Sequence, residues 1–181
     1  MRISIVGTSG SGKSTLGARL GQILGVPFIE LDAINWQPGW TDLNTHRKDE
    51  FNARVADKIA ADGWIMDGNY GAVREAILAR ATDVIWLDYE RPVIMRRVIA
   101  RSFKRAWDQT ELWAGTGNTE TFARWLDKEH PIRWAWDTWA MRRARYEALF
   151  AEPRFAHLNL HRLKAPREAD ALVARIRAGV E

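Results

Sequence analysis

The chain has 181 residues, 46% hydrophobic and 28% charged, which suits one α/β domain with an insertion and excludes two full domains or a disordered chain. It contains no cysteine, excluding disulfides and thiolate metal sites, and no apolar run that would span a membrane, so a cytoplasmic protein with no membrane partner is expected. The net charge of +4 is uneven: residues 91–145 hold 12 Lys and Arg against 6 Asp and Glu, so the whole positive excess lies in that segment.

The first predicted strand, Ile3–Val6, starts too early for a signal peptide to precede it. It leads into Gly-Thr-Ser-Gly-Ser-Gly-Lys-Ser at residues 7–14, the pattern GxxxxGK[ST] between a buried strand and an amphipathic helix. Glycines let successive backbone N–H groups turn inward around a phosphate, and the helix that starts near Lys13 adds its positive end. Gly7, Ser9, Gly10, Ser11, Gly12, Lys13, Ser14 and Thr15 are therefore expected to bind a nucleoside triphosphate, ATP. Lys13 would reach the β- and γ-phosphates, and the Ser14 hydroxyl would serve Mg²⁺.

A helix over Lys13–Leu24, carrying Leu16, Leu20 and Ile23 on one face, ends at Gly25-Val26-Pro27. Strand two is predicted at Phe28–Leu31, a helix at about Thr45–Ala61 through Phe51, Val55 and Ile59, strand three at Trp64–Met66 and strand four at Val84–Leu87. Strand five is placed at Phe155–Leu160 and a last helix after Pro166, with Leu172, Val173 and Ile176 facing in. Alternating strands and helices imply a parallel sheet covered on both faces. The stretch from about 102 to 131, with Trp-Ala-Gly-Thr-Gly-Asn at its centre, fits no strand–helix unit and is read as a lid inserted in a single domain covering 1–181.

Ligands bind beyond the carboxyl ends of parallel strands, and three predicted strands end in aspartate. If strand three lies beside strand one, Asp67 meets the P-loop and is the expected metal-side carboxylate. Asp32 would then face the acceptor, and Asp88 is the weakest candidate because Asp commonly caps helices and turns. Asp32, Trp36 and Trp40 in Asp-Ala-Ile-Asn-Trp-Gln-Pro-Gly-Trp (32–40), with Asn69 and Tyr70, are the expected acceptor-binding residues. After Pro92 a helix places Val98, Ser102, Met95 and Ile99 on one side and Arg97, Arg101, Lys104 and Arg105 opposite. Arg97 and Arg101 are expected to stabilise charge on a transferring phosphoryl group. In the helix after Pro131, a 100° wheel groups Ile132, Trp136, Trp139, Tyr146 and Phe150 around Arg143. A charge on an apolar face is costly unless paired, so Arg143 either meets a buried carboxylate or emerges into the cleft towards a phosphate. The cleft is preferred, because Arg suits phosphate, with Arg142 and Arg145 ranked after it. Catalysis would thus rest on Lys13, Asp32, Arg97, Arg101 and Arg143.

The segments GTSGSGKS, ELDAINWQPGW, GWIMDGNY, VIWLDYERP and ELWAGTGNTE, with the Trp- and Arg-rich helix at 132–150, resemble the adenylate-kinase-related P-loop proteins of the FlaR-like, or DNA topology modulation, group. The resemblance implies a P-loop NTPase three-layer α/β sandwich with a five-stranded parallel sheet in the order 2-3-1-4-5, ATP with Mg²⁺, and a lid. Adenylate kinases follow strand three with Asp-Gly-Phe-Pro-Arg. Here Asp67-Gly68 is followed by Asn69-Tyr70-Gly71, and the next arginine is Arg74. That departure argues against AMP as acceptor, and the class of shikimate- and gluconate-type kinases stays open.

The expected function is ATP-dependent phosphoryl transfer to a small-molecule or nucleotide acceptor. The alternative is a nucleic-acid-associated or regulatory P-loop ATPase that uses the positive segment on a phosphate backbone. Nucleic acid is not the favoured partner, because no helix-turn-helix or zinc pattern accompanies the charge.

Overall fold

Five β-branched or apolar-rich segments pair side by side in the computed structural model, which describes residues 1–128 and 130–180. β1 (Arg2–Gly7) is buried from Ile3 onward and forms the sheet centre. α1 (Lys13–Leu24) closes at Gly25, whose backbone is left-handed and whose N–H donates to Gly21 O. β2 (Phe28–Glu30), α2 (Leu31–Asn35), β3 (Trp36–Gln37), β4 (Thr41–Asp42), α3 (Leu43–His46) and α4 (Lys48–Ile59) follow. Next come β5 (Trp64–Asp67), α5 (Arg74–Arg80), β6 (Asp83–Leu87), α6 (Arg91–Asp108), α7 (Pro131–Phe150), β7 (Asn159–Leu163) and α8 (Pro166–Ala178). Proline sits in the first turn of α6, α7 and α8, where its missing N–H costs nothing.

The main sheet has the order β2-β5-β1-β6-β7, parallel throughout. Counting only its own strands, this is the expected 2-3-1-4-5. The order changes direction at β1, and the register sets Ile5 opposite Asp67 and Gly7 opposite Leu87. Ile3, Ile5, Ile65 and Ile85 pack on one face against Leu16 and Leu20 of α1, Ile94 and Val98 of α6, Ala135 of α7, and Leu172 and Val173 of α8. The other face is covered by Phe51, Val55 and Ile59 of α4, Ile77 and Leu78 of α5, and Tyr146 and Leu149 of α7. A three-layer α/β sandwich results.

Several boundaries differ from expectation. Phe155 belongs to a 3₁₀ turn (Pro153–Phe155) that drives its ring into the core, so the fifth strand begins only at Asn159. The helix expected from Thr45 is split into α3 and α4 at Arg47. Asp42 caps α3 by accepting from Thr45 N–H at 3.0 Å. Residues 102–108, assigned to the lid, continue α6, so the irregular part starts at Gln109. Ile99 points to solvent rather than inward, because the buried stripe of α6 runs Ile94, Val98, Ser102, Ala106. No helix among the described residues is long and apolar enough to cross a membrane.

Candidate functional site

The P-loop lies over the point where strand order reverses, held from behind by α6. Gly10 has φ +86°, a left-handed conformation, and a Cβ there would stand 2.8 Å from Val98 Cβ. Only glycine satisfies both conditions. Gly12, at φ +95°, turns the chain into α1. Ser11 N–H and Lys13 Nζ both donate to Thr8 O, at 3.1 and 3.4 Å, which curls the loop upon itself. From α6, Arg97 donates to Ser11 O at 3.2 Å and Arg101 to Ser9 Oγ at 3.2 Å. Both expected arginines therefore lie at the P-loop, one helical turn apart.

The β5 tip meets the loop as the strand order requires. Ser14 Oγ donates to Asp67 Oδ2 at 2.7 Å. Burial raises the Asp67 pKa to about 6 against the opposing pull of Lys13 and the Ser14 hydrogen bond. Burial likewise pushes the Lys13 ammonium down, while Asp67 and Asp32 favour its charge and Arg101 and Arg142 oppose it. Asp32, in the first turn of α2, accepts from Tyr70 Oη at 2.7 Å, and burial with the Asp32 charge raises the Tyr70 pKa, keeping the phenol protonated. Asn69 donates to Gly7 O at 2.8 Å and accepts from Tyr146 Oη at 2.6 Å, tying α7 to the entrance of the P-loop.

Arg143 is not brought to this cleft. Its guanidinium pairs with Asp88 at 3.2 Å and Glu90 at 3.0 Å, and Asp88 also meets Arg162 at 2.6 Å. Arg143 thus takes a buried carboxylate rather than the preferred place in the cleft, and the register of α7 accounts for it. The buried side of α7 runs Ala135, Thr138, Tyr146, Leu149, whereas Trp136 is 52% exposed. Arg142 lies in that stripe, one turn after Thr138 and one before Tyr146, and its Nε donates to Thr138 Oγ1 at 3.1 Å. Burial lowers its pKa, and Arg74 and Arg145 press in the same direction. Arg142, not Arg143, is therefore the charge on the apolar face that no carboxylate among the described residues pairs.

Trp36 and Trp40 occupy an ordered excursion, β3 and β4 joined by a 3₁₀ turn (Pro38–Trp40), rather than an open loop. Their rings meet edge to face with centroids 5.6 Å apart, and Trp40 meets Trp113 the same way at 6.0 Å. They pack against the insertion and against each other. Trp113 Nε1 also donates to Glu30 Oε2 at 3.1 Å. An open pocket lies beside this contact, lined by Glu30, Arg101, Arg105, Glu111 and Trp113. Reasoning on the sequence missed Arg74, Trp113 and Asn118 as parts of the site. Trp113 and Asn118 stood out only as the ends of the Trp-Ala-Gly-Thr-Gly-Asn stretch and Arg74 only as the next arginine after Asp67, since each gains its place when distant segments meet.

A P-loop at the switch point of a parallel sheet, with a carboxylate at the neighbouring strand tip and arginines from two flanking helices, defines a P-loop phosphotransferase. No family model matches the chain. It is 31% identical over 142 residues to a shikimate kinase of Rhodopseudomonas palustris, covering 72% of this chain and 67% of that protein. It is 34% identical over 112 residues to a shikimate kinase of Nitrobacter winogradskyi, covering 55% and 52%. The chain spans 52% to 67% of the length of the curated relatives it matches.

Among solved structures, the shikimate kinase from Acinetobacter baumannii in complex with shikimate has the same fold at a TM-score of 0.55 and 19% identity, covering 96% of this chain and 89% of that one. The shikimate kinase from Bacteroides thetaiotaomicron gives 0.56 at 15% identity, covering 99% and 98%. The chain belongs to the shikimate kinase family, ATP-dependent phosphotransferases with small-molecule acceptors.

Proposed function

We propose that this protein transfers the γ-phosphoryl group of ATP to a hydroxyl of a small acceptor that also carries an anionic group, a carboxylate or a phosphate. Shikimate is the first compound to test, since the relatives are shikimate kinases. The observation that carries the reading is the group Arg142, Arg74 and Arg145. Among the described residues none of the three has a carboxylate partner within salt-bridge distance, although Arg142 and Arg74 are half-buried. Arg142 is also near enough to Lys13 to lower its pKa. A half-buried guanidinium with no carboxylate partner among the described residues suits an anionic ligand.

In this reading the P-loop amides and Lys13 hold the donor phosphates, and Arg97 and Arg101 exchange their P-loop acceptors for phosphate oxygens. The arginine group orients the acceptor so that its hydroxyl meets Asp32, which accepts the hydroxyl proton as the oxygen bonds to the γ-phosphorus. The bond from that phosphorus to the β,γ-bridging oxygen breaks, and ADP leaves. Ser14 and Asp67 fit Mg²⁺: they present adjacent hard oxygens, 2.7 Å apart, beside the P-loop. When bound, the ion would neutralise charge on the β- and γ-phosphates. Trp36 and Trp40 would wall the acceptor site from water, with the segment after α6 as the lid. A reaction that draws on ATP suits a cytoplasmic location. The motifs shared with the FlaR-like group support placing the chain on that branch of the fold. The nucleic-acid-associated reading draws on the exposed rings of Phe103, Trp107 and Phe122 beside the α6 cations.

The test is a panel of shikimate, gluconate, nucleosides, nucleoside monophosphates and single-stranded DNA, with ADP and phosphorylated product measured together. Equal amounts of ADP and product from one acceptor support the kinase; ADP release stimulated only by DNA defeats it. Lys13→Ala should lower kcat by about 100- to 1,000-fold while leaving the circular dichroism spectrum unchanged.

A further inference from the structure

The insertion carries a small self-braced finger. Glu111 and Thr119 form an antiparallel bridge, and Leu112 N–H donates to Asn118 O at 2.8 Å. Thr116 Oγ1 donates to Trp113 O at 2.8 Å, and Gly117 N–H donates to Glu111 Oε1 at 2.7 Å. The acceptor-side excursion is braced as well: Asn44 N–H donates to Asn35 Oδ1 at 2.8 Å, and Gln37 Nε2 donates to Ile34 O at 3.1 Å. Two loops distant in sequence therefore meet, each with hydrogen bonds of its own.

Asn118 fastens them. Its Oδ1 accepts from Trp40 N–H at 3.0 Å and its Nδ2 donates to Gln37 O at 3.0 Å. The side chain is 2% exposed and spends both ends of its amide on the backbone of the other loop. Buried amides satisfied at both ends fix register, because a slip strands a donor and an acceptor together. Around this bond Trp113 abuts Trp40, and the Arg124 guanidinium lies 4.7 Å from the Trp40 ring. Trp40 and Trp113 both hold φ near +60°, at 59° and 66°, a backbone state that costs free energy for a bulky residue. The strain falls on the two residues that face each other across the seam.

The finger grows directly from α6, and α6 leans on the P-loop through Val98, Arg97 and Arg101. We propose that Asn118 is the positioning residue through which nucleotide on the P-loop orders the acceptor loop over residues 36–42. The proposal rests on the P-loop being the ATP site. Nucleotide settles α6 and its arginines, α6 sets the finger, and the Asn118 amide carries that setting to Trp40 and Gln37. By linkage, a bound acceptor must favour nucleotide by the same factor.

Hydrogen–deuterium exchange on the full chain tests this with Mg²⁺ and a non-hydrolysable ATP analogue, no acceptor being needed. In the wild type the analogue should slow exchange at residues 7–15 and also at 36–44. In Asn118→Ala the slowing at 7–15 should persist, while amides at 36–44 exchange about tenfold faster and ignore the analogue. Asn118→Asp keeps an acceptor for Trp40 N–H but loses the donor to Gln37 O, so it should show a reduced response at 36–44, and it replaces the alanine variant if that one does not fold. Protection at 7–15 without protection at 36–44 in the wild type overturns the coupling. So does a response at 36–44 that survives in the variants. No protection at 7–15 in the wild type defeats the ATP-site reading, and the coupling with it.

Discussion

Arg142 and Arg143 are neighbours in sequence but point about 100° apart on α7, and this separates their expected effects. Arg143 shares Asp88, whose side chain is 3% exposed, with Arg162. Removing it leaves a buried carboxylate with one partner, so Arg143→Ala should cost roughly 1–3 kcal/mol in urea unfolding, somewhat less than the loss of a sole partner. Arg142 meets no carboxylate among the described residues and is crowded by Arg74 and Arg145. Arg142→Ala should leave stability unchanged or raised, yet lower kcat/KM for the acceptor about 100-fold. Equal losses of stability in the two variants would refute the assignment. The sequence could not separate the pair because α7 carries Trp134, Trp136 and Trp139 on several sides. A wheel built on hydrophobicity then has no clear low side, and Trp136 outweighed the small Ala135 that is fully buried.

At the level of elements, α1 is set against β2 more closely than any side chain would permit. A Cβ on Gly17 would stand 2.1 Å from Phe28 Cε2, so helix and strand meet through a missing methyl. Gly17→Ala should cost roughly 1–3 kcal/mol or more by thermal unfolding. Phe28→Val in the same chain should recover at least half of that loss; no recovery would place the strain elsewhere. The elements legible from sequence were those whose hydrophobic pattern is decided locally. These are α1, with bounds as expected, and the strands around it, since successive residues of β1, β5 and β6 are buried on both faces of the sheet. The elements that were misplaced depend on distant partners. β7 is defined by pairing with β6 from Asp83↔Asn159 onward, and the apolar Phe155 that suggested an earlier start is spent on core filling. The seam between the finger and the acceptor loop was invisible for the same reason, because Asn118 has no value as a ligand until Trp40 lies beside it.

For the whole molecule, the excess of positive charge over residues 91–145 is resolved by the fold into two uses. Arg143 is consumed by carboxylates, whereas Arg97 and Arg101 meet the P-loop and Arg101 and Arg142 lie near enough to Lys13 to act on its charge. Burial holds the Arg101 pKa down to about 10, and Arg101 and Arg142 both work against the charge of Lys13. Like charges gathered in a low dielectric repel, so these cations work against fold stability, a cost the proposed phosphoryl transfer would account for. Millimolar sulfate or phosphate should therefore raise the melting temperature beyond the effect of chloride at equal ionic strength, by mass action on the folded state. Lys13→Ala should melt higher than the wild type without the anion and gain less from it; equal gains would mean the anions act on the surface at large. A screen for stabilised variants would then select against catalysis, and simple oxyanions in a purification buffer would serve this protein as folding aids.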